Sequence, residues 1–299
     1  MKLTLNLKPI LSAFFLLAVQ TLRAQSPAGN DQSLLWKISG NGLKNDSYVL
    51  LTTSNTCADV AALDKKTLAV LGKVQVVGVE SGLLDPANEA KLQKLVTVKN
   101  QNESVKKVLS ASLYSQLNSE AANVGMNEVR LNSYKPILIC GMTIKVINPC
   151  EIKDPKTPET LIRAYAHDKS IKVTELLSLE ETFDTFNAYP NSYWEKTLDF
   201  LINNSSQASS DLDSKSNFYT HENFRGICAI INKSPLLNLR YSFNDIEAKR
   251  INLLDSRIEN VIKNQSSILL LDVADVANPG TSIFNSLKKS GYIISPIYN

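Results

Sequence analysis

The stretch Ser266–Pro296, SSILLLDVADVANPGTSIFNSLKKSGYIISP, contains a strand, a turn, a helix and a second strand in succession. Its apolar run Ile268–Val273 predicts a buried strand, and Asn278–Gly280 predicts the turn that follows it. Ser282–Lys289 has the pattern of a short helix, and Tyr292–Ile297 predicts the last strand of the chain. This order of elements is typical of an α/β fold.

The beginning of the chain predicts further short strands. Leu34–Ile38 and Tyr48–Thr53 have strand patterns and are joined by the turn-rich Ser39–Asp46. Val74–Val79 is an apolar run with charged residues on both sides, as expected of a buried parallel strand. Helical patterns fill the middle of the chain. The sequence therefore predicts a mixed central sheet covered by helices, with strands clustered at the two chain ends.

Two further segments, one in the middle of the chain and one nearer its C-terminus, have patterns that predict their local structure. Asp245–Lys263 has apolar residues at helical spacing and predicts a long amphipathic helix. Asn203–Asn217, NNSSQASSDLDSKSN, is rich in serine, asparagine and aspartate. This composition predicts an exposed loop or the frayed end of a helix.

The first residues have the features of a secretory signal peptide. They are basic, and Ile10–Val19 is an apolar run that is too short to span a bilayer as a stable helix. Cleavage near Ala24–Gln25 would remove residues 1–24 and leave 25–299 as a single domain without a stable transmembrane segment. A retained anchor helix is the alternative. We therefore expect an exported protein, periplasmic or extracellular.

Charge and composition restrict the partners. Hydrophobic residues make up 43% and charged residues 20% of the chain, which is ordinary for a globular protein. The net charge of +3 comes from 32 basic and 29 acidic residues. Because Lys2, Lys8 and Arg23 lie in the predicted signal peptide, the remaining chain is balanced. We expect no nucleic-acid partner.

The four cysteines, Cys57, Cys140, Cys150 and Cys228, have no pair at C-x-x-C spacing. This argues against a zinc knuckle or a thioredoxin-type site. In an exported protein two disulfides are possible, and Cys140 with Cys150 is the most plausible local pair. Buried free thiols are an equally good interpretation.

Ligands of open α/β sheets bind outside the carboxyl ends of parallel strands. Thr52–Asn55, Glu80–Gly82 and Ala274–Gly280 follow predicted strands. An ordered set of short motifs along the chain, two of which lie in these loops, resembles the TraB/GumN (Tiki-like) family. The set is Leu35-Trp36-Lys37-Ile38, Glu80 after VVGV, Lys135-Pro136, Arg257, Pro279-Gly280 and Gly291-Tyr292. The resemblance implies a TraB/ChaN/erythromycin-esterase-like fold.

The chain departs from the family at the residues that carry its chemistry. Leu51-Thr52-Thr53-Ser54 stands where the family has G-T-x-H, and Ala274–Ala277 stands where it has G-x-x-H. The family histidines are thought to hold a divalent metal that activates water. Ser54 is a poor metal ligand and Ala277 is none. Glu80 and Asp275 remain as a weak oxygen-only site, so we expect the metal chemistry to be lost.

The site positions that the resemblance implies are Ser54, Glu80, Arg257 and Ala277. Glu80 is either a functional carboxylate or a polar residue at a strand exit. Arg257 either pairs with Glu80 or lies solvated on its helix. His167 and His221 lie in polar sequence and are expected to be solvated. No G-x-S-x-G motif is present to place a serine nucleophile.

Three functional hypotheses follow. In the first, the chain is an exported family member without catalysis that binds a protein or peptide ligand in the cell envelope. In the second, it is an active metal-dependent hydrolase or peptidase with a site rearranged around Glu80, Asp275 and Arg257. In the third, it is an unrelated envelope interaction protein that only imitates the family. We expect no cofactor, or a divalent metal if the family activity survives.

Overall fold

The computed structural model describes residues 33–53, 63–148 and 157–298. These residues form a six-stranded sheet with the strand order β4-β3-β5-β2-β1-β6. The strands are β1 (Leu35–Gly40), β2 (Ser47–Thr52), β3 (Val76–Val79), β4 (Lys172–Glu175), β5 (Ser267–Asp272) and β6 (Tyr292–Pro296). Strands β4, β3, β5 and β2 are parallel, whereas β1 is antiparallel to β2 and β6. The predicted fold class is confirmed.

Helices occupy most of the chain between the strands. They are α1 (Lys65–Leu71), α2 (Glu89–Val96), α3 (Val105–Val108), α4 (Ala111–Asn123), α5 (Glu128–Leu131), α6 (Pro136–Ile147), α7 (Pro158–Asp168), α8 (Leu179–Ala188), α9 (Asn191–Asn203), α10 (Ser205–Thr220), α11 (Phe224–Lys233), α12 (Pro235–Asn238), α13 (Asn244–Asn264), α14 (Ala274–Ala277) and α15 (Ile283–Lys289). Within the described part of the chain, none of them combines the length and the apolar character needed to cross a membrane.

The two central strands place polar side chains at one edge of the sheet. Every residue of β2 and β5 is buried except the last, Thr52 and Asp272. The parallel register pairs Leu50 with Leu270 and Thr52 with Asp272. The continuous apolar runs seen in the sequence are therefore strands covered on both faces. Their polar ends meet at the carboxyl edge, where such folds bind ligands.

The apolar interior consists of two clusters of buried side chains. The larger one surrounds the sheet and includes residues of α7, α11, α13 and α15. The smaller one lies among the helices of the middle of the chain, with residues from α3, α4, α6 and α9. We refer to these two regions as the sheet half and the helical half.

The prediction for Asn203–Asn217 is wrong. Most of this segment belongs to α10, a regular helix with Ala208, Leu212, Lys215 and Tyr219 buried. These residues recur at steps of three and four, which places them on one helix face. Packing of that face decides the structure and overrides the weak helix propensity of serine and asparagine.

Several predictions fall outside the described residues. They concern the signal peptide, Ser54, Cys57 and Cys150. Cys140 is a free thiol in α6. Burial raises the pKa of this thiol, so it remains protonated and has the character of a small apolar side chain.

Candidate functional site

Five charged residues converge beyond the carboxyl ends of β3 and β5, and we call them the charged cluster. They are Glu80, Arg240, Glu247, Arg250 and Asp275. Glu80 directly follows β3, and Asp275 lies in α14 soon after β5. Glu247 and Arg250 project from α13, whereas Arg240 lies in a 3-10 turn just before that helix. Segments distant in sequence are thus brought together at one edge of the sheet.

Arg250 is the centre of the charged cluster. Its Nη1 atom donates hydrogen bonds to Glu80 Oε1 at 2.8 Å and to Asp275 Oδ2 at 3.2 Å. Its Nη2 atom donates to Asp275 Oδ1 and, at 3.4 Å, to Glu247 Oε2. The Arg250 side chain is only 9% exposed. The planar guanidinium therefore lies between three carboxylates and satisfies all of them at once.

Arg240 supplies the second positive charge. Its Nη2 atom donates to Glu247 Oε2 at 2.6 Å and to Asp275 Oδ1 at 2.8 Å. The hydroxyl of Tyr189 donates to the other oxygen of Glu247. Asp275 has no exposed side-chain surface, and both of its oxygens accept bonds from arginines. Buried carboxylates of this kind require such neutralisation.

The three carboxyl groups differ in their affinity for protons. Burial raises the pKa of Glu80 to about 8, and the charge of Asp275 adds to this effect while Arg250 opposes it. Burial also disfavours ionised Asp275 and Glu247, but the two arginines outweigh it and hold both pKa values below the ordinary ones. Glu80, whose side chain is 26% exposed, is therefore the member that exchanges a proton near neutral pH.

A second charged pair lies next to the cluster at the same edge. Lys215 of α10 is buried, and burial lowers its pKa, whereas the charge of Asp272 at the end of β5 acts in the opposite direction. One turn further along α10, the Tyr219 hydroxyl donates to the carbonyl oxygen of Leu51 at 3.1 Å. Helix α10 therefore closes this edge of the sheet beside β2 and β5.

Residues 34–296 match the sequence model of the TraB/PrgY/gumN family. The chain belongs to this family. The resemblance stated from the motifs is thus confirmed, and the hypothesis that the pattern only imitates the family is wrong. No curated protein matches the chain, and no solved structure matches it.

The residues at the family positions are only partly brought together. Glu80 and Asp275 both belong to the charged cluster. Ala277 is buried in α14, where its carbonyl oxygen accepts a bond from Asn232 Nδ2 at 3.1 Å. Arg257 lies apart from them, because its side chain is 50% exposed and donates to Glu181 Oε1 at 3.1 Å. Of the two interpretations left open for Arg257, the structure supports a solvated position on its helix and not a pair with Glu80.

The arginine that contacts Glu80 is Arg250, seven positions before Arg257 in α13. A separation of seven residues is close to two helical turns, so both arginines lie near the same face. Sequence reasoning missed Arg250, Arg240 and Glu247. One signal was present: Glu247 lies four residues before Ile251, in line with the buried stripe of α13. A carboxylate in an apolar stripe indicates a buried ionic partner.

The cluster does not fit a divalent cation. The family metal would need several oxygen or nitrogen ligands that converge on one point. Arg250 Nη1 instead lies within hydrogen-bond distance of both Glu80 and Asp275, so a cation shared by these carboxylates would have to displace it. In the described ranges, no group of three or more His, Cys, Asp or Glu side chains has an arrangement that could hold a metal.

Proposed function

We propose that this TraB/PrgY/gumN family member is exported and acts by binding a protein or peptide ligand in the cell envelope, without metal-dependent hydrolysis. The observation that carries the proposal is the position of Arg250 between Glu80 and Asp275. The two carboxyl groups that remain from the family pattern already accept hydrogen bonds from a side chain of the protein itself.

The charge balance of the cluster supports this proposal. Arg240 and Arg250 balance Asp275 and Glu247, whose pKa values are held low. Glu80 is largely protonated at neutral pH because its pKa is raised to about 8. The cluster therefore has no net negative charge that a divalent cation would neutralise. Such a network stabilises one arrangement of β3, α13 and α14 and gives the edge of the sheet a fixed shape for recognition.

The proposal of export rests on the N-terminal sequence. The basic start and the apolar run Ile10–Val19 have the order of a secretory signal peptide. We expect a C-terminal reporter fusion to be exported in a Gram-negative host and the product to begin near Gln25. Removal of residues 1–24 should leave the fusion inside the cell. A product that keeps Met1 and stays with the membrane would contradict cleavage.

The part of the proposal that excludes metal-dependent hydrolysis is tested by metal content and metal titration of the purified protein. We expect less than about 0.1 equivalent of Mn²⁺, Zn²⁺ or Co²⁺ after dialysis, and no saturable heat on titration, because the ligand oxygens are held by arginines. Glu80→Ala should not change either result. Glu181→Ala is the matched control, since Glu181 also pairs with an arginine of α13 but lies outside the cluster. One equivalent of bound metal that is lost only in Glu80→Ala would overturn the proposal.

A rearranged hydrolase is the second candidate, and one observation favours it. A carboxyl group with a pKa of about 8 at a sheet edge can give and take protons at neutral pH, as a general acid or base must. Peptide hydrolysis that follows the titration of Glu80 and disappears in Glu80→Gln would support this candidate. Absence of turnover in the wild-type protein, with and without added metal, would count against this candidate.

A further inference from the structure

The helical half contains a pocket that belongs to neither the charged cluster nor the family pattern of metal ligands. Its volume is about 100 Å³, and aromatic side chains of Phe186, Tyr189 and Trp194 contribute to its walls. Lys135 and Glu103 line it as well and bring one charge of each sign. Concave sites with apolar walls and a few convergent polar groups are where small molecules bind. We call it the Lys135 pocket.

The two charges in the Lys135 pocket form a long ion pair without a hydrogen bond. Lys135 Nζ and Glu103 Oε2 are 3.6 Å apart, which exceeds hydrogen-bond distance. The Lys135 side chain is only 12% exposed. Among the described residues, its ammonium donates one hydrogen bond, to Asn187 Oδ1 at 3.2 Å. An ammonium group has three donors, so this buried charge retains capacity for an anionic group.

The backbone holds both charged residues in place before any ligand arrives. Lys135 N donates to the carbonyl oxygen of Val96 at 2.8 Å, beside an isolated β-bridge between Thr97 and Tyr134. On its other side Lys135 directly precedes Pro136, the first residue of α6. Glu103 ends a 3-10 turn that begins at Gln101. A backbone that is already ordered loses little conformational entropy when a ligand binds.

Two helix N-termini add to the field in the pocket. Pro136 and Asn191, the first residues of α6 and α9, both line it. The N-terminus of a helix carries a partial positive charge that favours anions. Together with Lys135 this favours a carboxylate on one side of the pocket, whereas Glu103 favours a cation on the other.

We propose that the Lys135 pocket binds a free zwitterionic α-amino acid with an aliphatic side chain. The carboxylate of the ligand contacts Lys135, its ammonium contacts Glu103, and its side chain packs between the aromatic walls. The volume sets the side-chain class. An apolar cavity of about 150 Å³ holds benzene, so a pocket of about 100 Å³ takes no more than a branched aliphatic group, and the charged groups of the ligand lie at its solvent-exposed edge, where the Glu103 side chain is 40% exposed. A ligand with both charges satisfies both members of the loose pair.

Isothermal titration of the purified protein with three probes tests the proposal. L-leucine has both charges, isocaproate lacks the ammonium, and isoamylamine lacks the carboxylate, while the side chain stays the same. We expect saturable binding of one L-leucine per chain and at least about tenfold weaker binding of each analogue, because each loses a charge-assisted hydrogen bond. L-leucine that does not bind, or binds no better than isocaproate or isoamylamine, overturns the proposal.

Two variants separate recognition from damage to the fold. Lys135→Met should weaken L-leucine and isocaproate at least about tenfold and leave isoamylamine unchanged. Glu103→Gln should weaken L-leucine and isoamylamine and leave isocaproate unchanged. Lys106→Met is the matched control, because Lys106 pairs with Glu128 in the same helical half but does not line the pocket. A distorted pocket would weaken all three probes together, and that result, or an effect of Lys106→Met, counts against the proposal.

Discussion

The charged cluster and the Lys135 pocket both bring basic side chains close to carboxylates, but they differ in the distances between the opposite charges. In the cluster, planar guanidinium groups contact carboxylates at distances that include 2.6 and 2.8 Å, and the side chains of Glu247 and Asp275 have almost no exposed surface. In the pocket, a lysine and a glutamate stay 3.6 Å apart beside open space. The first arrangement leaves no site for a further ion, whereas the second leaves both charges available to a ligand.

The largest expected effect comes from removing the centre of the cluster. Arg250→Met leaves Glu80, Asp275 and Glu247 without their shared partner, which should lower the free energy of unfolding by about 3–5 kcal/mol. Arg257→Met, the same change near the same face of α13, should cost less than about 1 kcal/mol because its pair with Glu181 is exposed. Urea denaturation of both variants measures the difference. Equal losses of unfolding free energy would mean that the contacts of Arg250 in the cluster contribute no more to stability than the exposed pair of Arg257 and Glu181.

Glu80→Gln tests the proton-binding member of the cluster. The pKa of Glu80 is raised from 4.5 to about 8 in the folded protein, so the folded state holds this proton more tightly than the unfolded one. Stability of the wild type should therefore fall as pH rises through this window, by up to about 1.4 kcal/mol per pH unit. Glu80→Gln lacks this contribution. Between pH about 5 and about 9, the free energy of unfolding of the wild type should therefore fall relative to that of the variant. If the two free energies change with pH in parallel, the raised pKa is refuted.

These effects also show which parts of the architecture were readable from the sequence. The apolar runs of β2 and β5 identified their strands, because burial on both faces requires continuous apolar residues. Glu80 and Asp275 were recognised because they follow strands. Arg250 was not, since the sequence of α13 places Arg250 and Arg257 on nearly the same face and only the position of the helix along the sheet decides between them. Lys215 was not recognised either, because tertiary packing buries it in a serine-rich helix.

Tyr189→Phe tests the contact that joins the two regions. Tyr189 lines the Lys135 pocket, and its hydroxyl donates to Glu247 of the cluster. Loss of this donor leaves one buried oxygen of Glu247 unsatisfied, so we expect a destabilisation of about 1–3 kcal/mol in urea denaturation. A variant as stable as the wild type would show that Glu247 does not depend on this hydroxyl.

The smallest expected effect on stability comes from the pair of Lys135 and Glu103. Glu103→Gln should change the free energy of unfolding by less than about 1 kcal/mol, because a partly exposed pair at 3.6 Å contributes little to stability. The same variant should show a clear loss of L-leucine affinity. This combination, a small effect on stability with a large effect on binding, is the opposite of that expected for Arg250→Met. A destabilisation similar to that of Arg250→Met would make the Lys135–Glu103 pair structural.

The most direct test of the closed cluster is a crystal structure of the protein soaked with Mn²⁺, with anomalous scattering to locate the ion. The arrangement described here predicts the Arg250 guanidinium between Glu80 and Asp275, with both carboxylates in contact with it and no anomalous peak at this edge of the sheet. An anomalous peak between Glu80 and Asp275, with Arg250 displaced from both, would contradict it and restore a metal-dependent function.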